Sequence, residues 1–169
     1  MITDNQITAL NVYKKNKFIT IPLNGKRPFF KKWTELDHTP KDWNVFHNKN
    51  MGVLTGKPSK ITVLDIDYQD NGMTHWNKIK KLYPTIITPM VSTPGKGLHI
   101  YFKYNPKLPS TSKLHLNDTI IGWDLLNDGR QVVVPPSDKY KWIYDLDTPL
   151  AKMPEWLEHY ILLLKTKQL

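Results

Sequence analysis

Ile61-Thr62-Val63-Leu64-Asp65-Ile66-Asp67 decides how this chain is read. Its opening four residues are apolar or β-branched, which suits a strand buried on both faces of a sheet. That strand delivers Asp65 and Asp67, and residues two apart on a strand project from the same face. Two carboxylates held in one space repel, an arrangement a protein rarely builds without a cation between them. Hard divalent ions such as Mg²⁺ take such oxygen ligands and accept substrate phosphates as well. The plainer reading is a strand end entering a polar loop, where aspartate is common. The rigid run in front of the pair favours a site.

Outward from this strand, helices and strands alternate before strands take over. Thr3 to Asn16 predicts a helix with Ile7, Leu10 and Tyr13 on its apolar side. Phe18 to Leu23 alternates as a strand and runs into the turn Asn24-Gly25. Pro40 to His47 predicts a short helix with Thr39 as its N-cap, and Met51 to Thr55 a strand closed by Gly56. Met73 to Tyr83 carries Trp76, Ile79, Lys80 and Tyr83 at helical spacing and stops before Pro84. Ile86 to Ser92 and Leu98 to Tyr104 predict strands around Pro94-Gly95-Lys96-Gly97. Thr119 to Leu125 and Gln131 to Val134 predict another pair around the turn Asn127-Asp128-Gly129. Pro154 to Lys165 is the closing helix, burying Trp156, Leu157, Tyr160, Ile161 and Leu164. This order predicts an α+β fold with a mixed sheet.

Composition bounds the rest. A chain of 169 residues suits one domain and is short for two well-cored ones, so residues 1–169 are expected to form a single domain. No apolar run approaches the ~20 residues that span a bilayer. The segment from Met1 to Asn11 lacks a signal-peptide core, so an intracellular protein with no membrane partner is expected. Cysteine is absent, which excludes disulfides, thiolate zinc sites and cysteine nucleophiles; any metal must sit on carboxylates or histidines. Lys plus Arg number 24 against 15 Asp plus Glu, a net charge of +9 that favours polyanions through counterion release. A solvated basic surface is the alternative. One basic cluster, Lys26, Arg27, Lys31 and Lys32, is interleaved with Phe29, Phe30 and Trp33. Those rings suit base stacking, and a place in the core is the simpler expectation.

Two further stretches carry chemistry. In Ser92-Thr93-Pro94-Gly95-Lys96-Gly97-Leu98-His99, the glycines let the backbone approach an anion, Lys96 adds charge, and His99 opens an apolar strand at the loop's edge. The spacing is not a Walker pattern, which needs a lysine and Ser/Thr opening a helix. A lone strand histidine is more often structural. In Ile120-Ile121-Gly122-Trp123-Asp124-Leu125, a single carboxylate rides another apolar strand, and Asp124 can complete a three-carboxylate set of the kind used in two-metal phosphoryl transfer. Arg130 beyond it can bind phosphate or simply sit exposed on its turn.

The order of these features resembles the archaeo-eukaryotic primase superfamily, specifically the bifunctional primase-polymerase domains of viruses, phages and plasmids. Gly25-Lys26-Arg27-Pro28 with Trp33 is similar to that family's opening basic segment, and Gly52-Val53-Leu54-Thr55-Gly56 to its glycine strand-turn. Asp65-Ile66-Asp67 resembles its first motif, Ser92 to His99 its second, and Asp124 with Pro135-Pro136-Ser137 its third. Pro154-Glu155-Trp156-Leu157 is similar to its terminal helix, so the likeness runs through most of the chain. Two departures stand out: Gly95-Lys96-Gly97-Leu98 replaces adjacent glycines before the histidine, and Leu125-Leu126 and Arg130-Gln131 replace an arginine and an aromatic in the third motif.

The resemblance implies an α+β primase core with an RRM-like mixed sheet, its cleft facing a smaller N-terminal α/β part. It implies a DNA primase/polymerase, a nucleotidyltransferase that makes primers or extends DNA. Asp65, Asp67 and Asp124 would be catalytic and hold two Mg²⁺ or Mn²⁺ ions. His99, Ser92, Thr93, Lys96 and Arg130 would bind the nucleotide, and Lys26, Arg27, Lys31 and Lys32 the nucleic acid. The partners implied are a single-stranded DNA template, nucleoside triphosphates, and a replicative helicase, fused or separate. A non-catalytic replication-initiation or single-strand-binding module is the alternative from another class, and a metal-dependent nuclease using the same carboxylates is the second.

Overall fold

Thr3 starts the first helix in the computed structural model, which describes residues 1–166. Its side chain accepts from the Gln6 backbone N–H at 3.1 Å, and the Gln6 side chain accepts from the Thr3 N–H at 2.9 Å, a reciprocal cap on helix α1 (Asp4–Lys15). Strands β1 (Thr20–Asn24) and β2 (Arg27–Pro28) form a hairpin whose turn places Gly25 at positive φ. Strands β3 (Asn50–Leu54) and β4 (Ile61–Ile66) precede helix α2 (Gly72–Lys80). Then come β5 (Met90–Ser92), β6 (Leu98–Lys103), the short pair β7 (His115–Leu116) and β8 (Thr119–Ile120), and β9 (Trp123–Leu126). The chain closes with β10 (Gln131–Val134), β11 (Lys141–Tyr144) and helix α3 (Glu155–Thr166).

Two main sheets result, ordered β10-β3-β1-β2 and β11-β5-β6-β4-β9. The α+β class is as expected, but every ladder between these strands is antiparallel, so the sheets are not mixed. Alternation along β4 divides the core. Ile61 and Val63 join the first sheet and α1 in one apolar cluster, with Tyr101 and Val91 from the neighbouring strands. Leu64 and Ile66 face the other way, into a cluster with Ile100, Phe102, Trp123 and the α3 residues Leu157, Ile161 and Leu164. Burial on both faces is what the apolar run Ile61–Leu64 required. Of the residues expected to face inward on α3, Trp156 and Tyr160 are only partly buried.

Several predicted elements are shorter or differently built. The expected helix over Pro40–His47 is a 3₁₀ turn, Trp43–Phe46, capped by Asp42 at 3.0 Å to the Asn44 N–H. Thr39 does not cap it; its hydroxyl accepts from the Thr20 N–H at 2.9 Å and ties the loop to β1. The strand expected from Ile86 begins only at Met90, because Pro89 has no N–H to give the ladder. The Thr88 hydroxyl donates to the Tyr101 carbonyl in its place. The strand expected over Thr119–Leu125 is broken in two at Gly122, φ +69°. Finally, β9 and β10 do not pair around Asn127-Asp128-Gly129. β9 joins β4 and β10 joins β3, so this turn carries the chain from one sheet to the other. Asn127 is fully buried there, donating to the carbonyls of Asn105 and Leu108 and accepting from the hydroxyls of Thr62 and Thr55. These bonds satisfy its buried polar groups and anchor the crossover, which a turn-type rule does not detect.

Candidate active site

The register of the second sheet assembles three chemistry-bearing side chains in a row. Asp65 on β4 is the Cα partner of His99 on β6 and of Asp124 on β9. Directly opposed residues on adjacent strands project from the same face, so all three point toward the first sheet. His99 is only 5% exposed; its Nε2 stands 3.4 Å from Asp65 Oδ1, while its Nδ1 is buried with no partner among the described residues.

Asp67 lies one residue beyond β4 and is held by its backbone. Its N–H donates to the Gly122 carbonyl at 2.8 Å, and its carbonyl accepts from the Met73 N–H at 3.0 Å at the start of α2. This clamp needs two glycines face to face. A Cβ on Gly72 would sit 2.2 Å from the Asp67 carbonyl oxygen and 2.5 Å from that of Gly122. A Cβ on Gly122 would meet the Gln69 carbonyl oxygen at 2.6 Å. Gly122→Ala combines a left-handed backbone with these backbone clashes, and is expected to cost about 2–3 kcal/mol. Urea unfolding checks this, with a lowered midpoint at unchanged slope as the result.

The Ser92–Gly97 loop seats against the end of β4. Thr93 Oγ1 accepts from the Gly97 N–H at 3.0 Å, and Gly97 packs so closely that a Cβ would lie 2.4 Å from the Ile66 carbonyl oxygen. Gly95 faces open space. Thr93 and Gly95 line a cleft of about 230 Å³ with Lys26, Asp65, Asp67 and His99, and its far wall is Gln131 to Val133 of the first sheet. Ser92 lies outside this lining and donates to the Lys141 carbonyl at 3.3 Å. Lys96 also lies outside it, with its ammonium 5.7 Å from the centre of the Tyr68 ring. A larger cavity of about 400 Å³ lies between the turn at Lys103–Lys107 and α3. Its Glu158 is already engaged by Asn105 Nδ2 at 2.5 Å and Lys107 Nζ at 3.8 Å.

Charge in the cleft is incompletely balanced. Burial, and then the negative charges of Asp65 and Asp124, push the Asp67 carboxyl above its ordinary value, against a smaller pull from Lys26 and His99. Asp124 is also raised, mainly by burial, and one of its oxygens accepts from the Lys113 N–H at 2.6 Å. Asp124 is therefore beside Asp65 but partly committed elsewhere, and it is not part of the cleft lining. Among the described residues, no three His, Asp or Glu side chains form a ready-made metal-holding group. The donors themselves suit a hard divalent cation: oxygen ligands whose mutual repulsion a positive charge would relieve.

The cationic residues divide. Lys26 lines the cleft, with its carbonyl accepting from Gln131 Nε2 at 3.0 Å. Arg27, Lys31, Lys32 and Arg130 are exposed and outside the lining; Arg130 acts on the site through its charge, which lowers the Asp124 pKa. Phe29 is exposed rather than in the core, while Trp33 packs partly against the first cluster. Sequence reasoning missed Tyr140. Its ring is 5.9 Å from that of His99, it is 8% exposed, and burial with the charges of Asp65 and Asp67 raises its pKa, so its hydroxyl stays a neutral donor. Its flanks, Lys139 and Lys141, make it look like a surface loop residue, and nothing local marks it.

Comparison of the sequence with curated proteins returns no match. The family model described as bifunctional DNA primase/polymerase, N-terminal, matches residues 9–156. That span includes the carboxylates, the histidine, the loop between them and both walls of the cleft, and on this match the chain belongs to the Prim-Pol family of bifunctional DNA primase/polymerase domains.

Proposed function

We propose that this chain is a DNA primase/polymerase that performs template-directed nucleotidyl transfer in the cleft between its two sheets. Family membership carries the broad activity, with DNA and nucleotides as its substrates. The observation that supports this cleft as the place is the row Asp124–Asp65–His99 across three strands, with Asp67 beside it. Because both sheets wall the cleft, residues 1–169 are taken to act as one catalytic domain.

In this reading Asp65, Asp67 and Asp124 hold divalent cations, Mg²⁺ or Mn²⁺, two in number. Such ions, when bound, neutralise phosphate charge and acidify an attacking 3′-hydroxyl. The chain's own residues orient the reactants. His99 turns Nε2 toward the carboxylates and donates to an oxygen of the incoming triphosphate. Gly95, with nothing above its Cα, lets a phosphate reach the loop backbone beside Thr93. Lys26 adds positive charge on the opposite wall, and Tyr140 supplies a neutral donor. Ser92, Lys96 and Arg130 act from outside the lining, on charge or loop shape. Arg27, Lys31 and Lys32 extend a basic surface for the template strand, with little sequence preference. A replicative helicase, fused or separate, would supply that single strand. Among the described residues no helix is long and apolar enough to cross a membrane.

Incubation with a primed single-stranded template, nucleoside triphosphates and Mn²⁺ tests the reading, and extended product is the expected result. A strand-binding module would leave the primer unchanged. A nuclease would shorten the template without added nucleotides.

A further inference from the structure

We propose that the two rims of the cleft are base-stacking platforms for single-stranded nucleic acid, one built from Phe29 with Lys49 and the other from Tyr68 with Lys96. This rests on the cleft being the nucleotidyl-transfer site and says how the strand is held there. Phe29 is 48% exposed and Tyr68 58% exposed. Singly exposed aromatics are ordinary on protein surfaces, so exposure alone decides nothing. What separates these two is their partners. Lys49 Nζ lies 4.9 Å from the centre of the Phe29 ring and Lys96 Nζ 5.7 Å from that of Tyr68, and these are the two cation–π pairs among the described residues. Tyr83, also exposed, is instead stacked on Trp156 at 4.1 Å and has no free face to offer on that side.

Both pairs adjoin the cleft through the chain itself. Tyr68 directly follows Asp67, and Lys96 directly follows Gly95, and both of those predecessors line the cleft. On the first-sheet side, Phe29 follows edge strand β2 and lies three residues past the cleft-lining Lys26, within ~10 Å along the chain. Lys49 precedes Asn50, whose Nδ2 donates to the Gly25 carbonyl at 3.0 Å at the tip of the same hairpin. The Phe29 backbone is pinned by its N–H to the Pro22 carbonyl at 3.0 Å. In each pair the ammonium lies over one face of the ring, so the opposite face is the one a base would take, and Phe29 is also buttressed by the tilted Phe30 ring at 5.6 Å. A single strand offers the complementary pair at every nucleotide, a flat base and a phosphate. A net charge of +9 supports the same occupant. Lys96 then serves a strand phosphate rather than the triphosphate, which agrees with its position outside the cleft lining.

The test is fluorescence anisotropy of a labelled oligothymidylate of about 15 nucleotides with the full chain, without nucleotide or divalent ion. Phe29→Ala and Tyr68→Ala are each expected to weaken binding about 5- to 100-fold. Phe29→Trp and Tyr68→Phe are expected to retain it, whereas Phe29→Leu, equally apolar but not planar, stays weak. Lys49→Gln and Lys96→Gln each flatten the dependence of log K on log salt by about 0.7. Binding within about twofold of wild type in either alanine variant, or full affinity in Phe29→Leu, overturns the proposal. Asp65→Asn separates it from the catalytic reading: this variant keeps strand affinity and loses incorporation. An active Asp65→Asn enzyme would sink the catalytic site while leaving the rim measurements to stand by themselves.

Discussion

Nucleotide incorporation is expected to fall at least ~100-fold in Asp65→Ala and in Asp67→Ala, with the fold intact. The two carboxylates line one cleft beside His99, and in the proposed mechanism they have no substitute as cation ligands. Stability should move the other way. The Asp67 carboxyl is raised above 3.8 by burial and by its acidic neighbours, so its ionised form is disfavoured in the folded chain. A carboxyl shifted upward costs nothing below that ordinary value, and its cost is complete once pH has risen through the folded-state value. At neutral pH, Asp67→Asn therefore holds or raises the Tm while removing activity. Mn²⁺ gives a readout independent of turnover. At about a hundred times its Kd it should raise the wild-type Tm by about 5 °C or more, and not that of Asp67→Asn. Full incorporation by either alanine variant, with Mn²⁺ still required, would refute the assignment.

The largest effect on folding is expected from Trp123→Ala, at about 3–5 kcal/mol. Trp123 is fully buried, with its ring edge-on to His75, Trp76 and Tyr160 at 5.1 to 5.8 Å. Its Nε1 donates to the Gly72 carbonyl at 3.1 Å. Truncation leaves a large cavity and an unpaired carbonyl against a typical total of about 5–15 kcal/mol. A fall in Tm of roughly 10 °C follows. Thermal unfolding by circular dichroism measures it, and a shift under about 3 °C would mean that the aromatic cluster repacks. Because Gly72 also abuts Asp67 and Gly122, this loss reaches the site through the backbone clamp and not through any contact with substrate.

How much of this was legible in the sequence depended on whether the signal was local. The Ile61–Leu64 run and the period-two spacing of Asp65 and Asp67 are local, and both the buried strand and the shared cleft follow from them. Asp124 was reachable only through the order of motifs, since its meeting with Asp65 is set by strand register, a long-range fact. Its bond to the Lys113 N–H was not readable at all. Tyr140 was missed for the same reason: what brings it to His99 is the return of the chain between β10 and β11. The supposed hairpin at Asn127 failed because a turn signature states only that the chain reverses, not which strand it joins next.

Asn127 has a mechanical consequence. The segment it anchors runs from Leu126 to Gln131, both of which line the cleft, so one short span bolts the second-sheet wall to the opposing one. Its backbone and side chain are fastened at Thr55, Thr62, Asn105, Leu108 and Ser110, which leaves that joint little play. Along this side, the aperture is set before any ligand arrives. The hairpin tip and the glycine loop are tied as well, through Asn50 to Gly25, Gln131 to Lys26 and Gly97 to Thr93, so in the proposed function reactants would enter a mouth whose outline is already drawn.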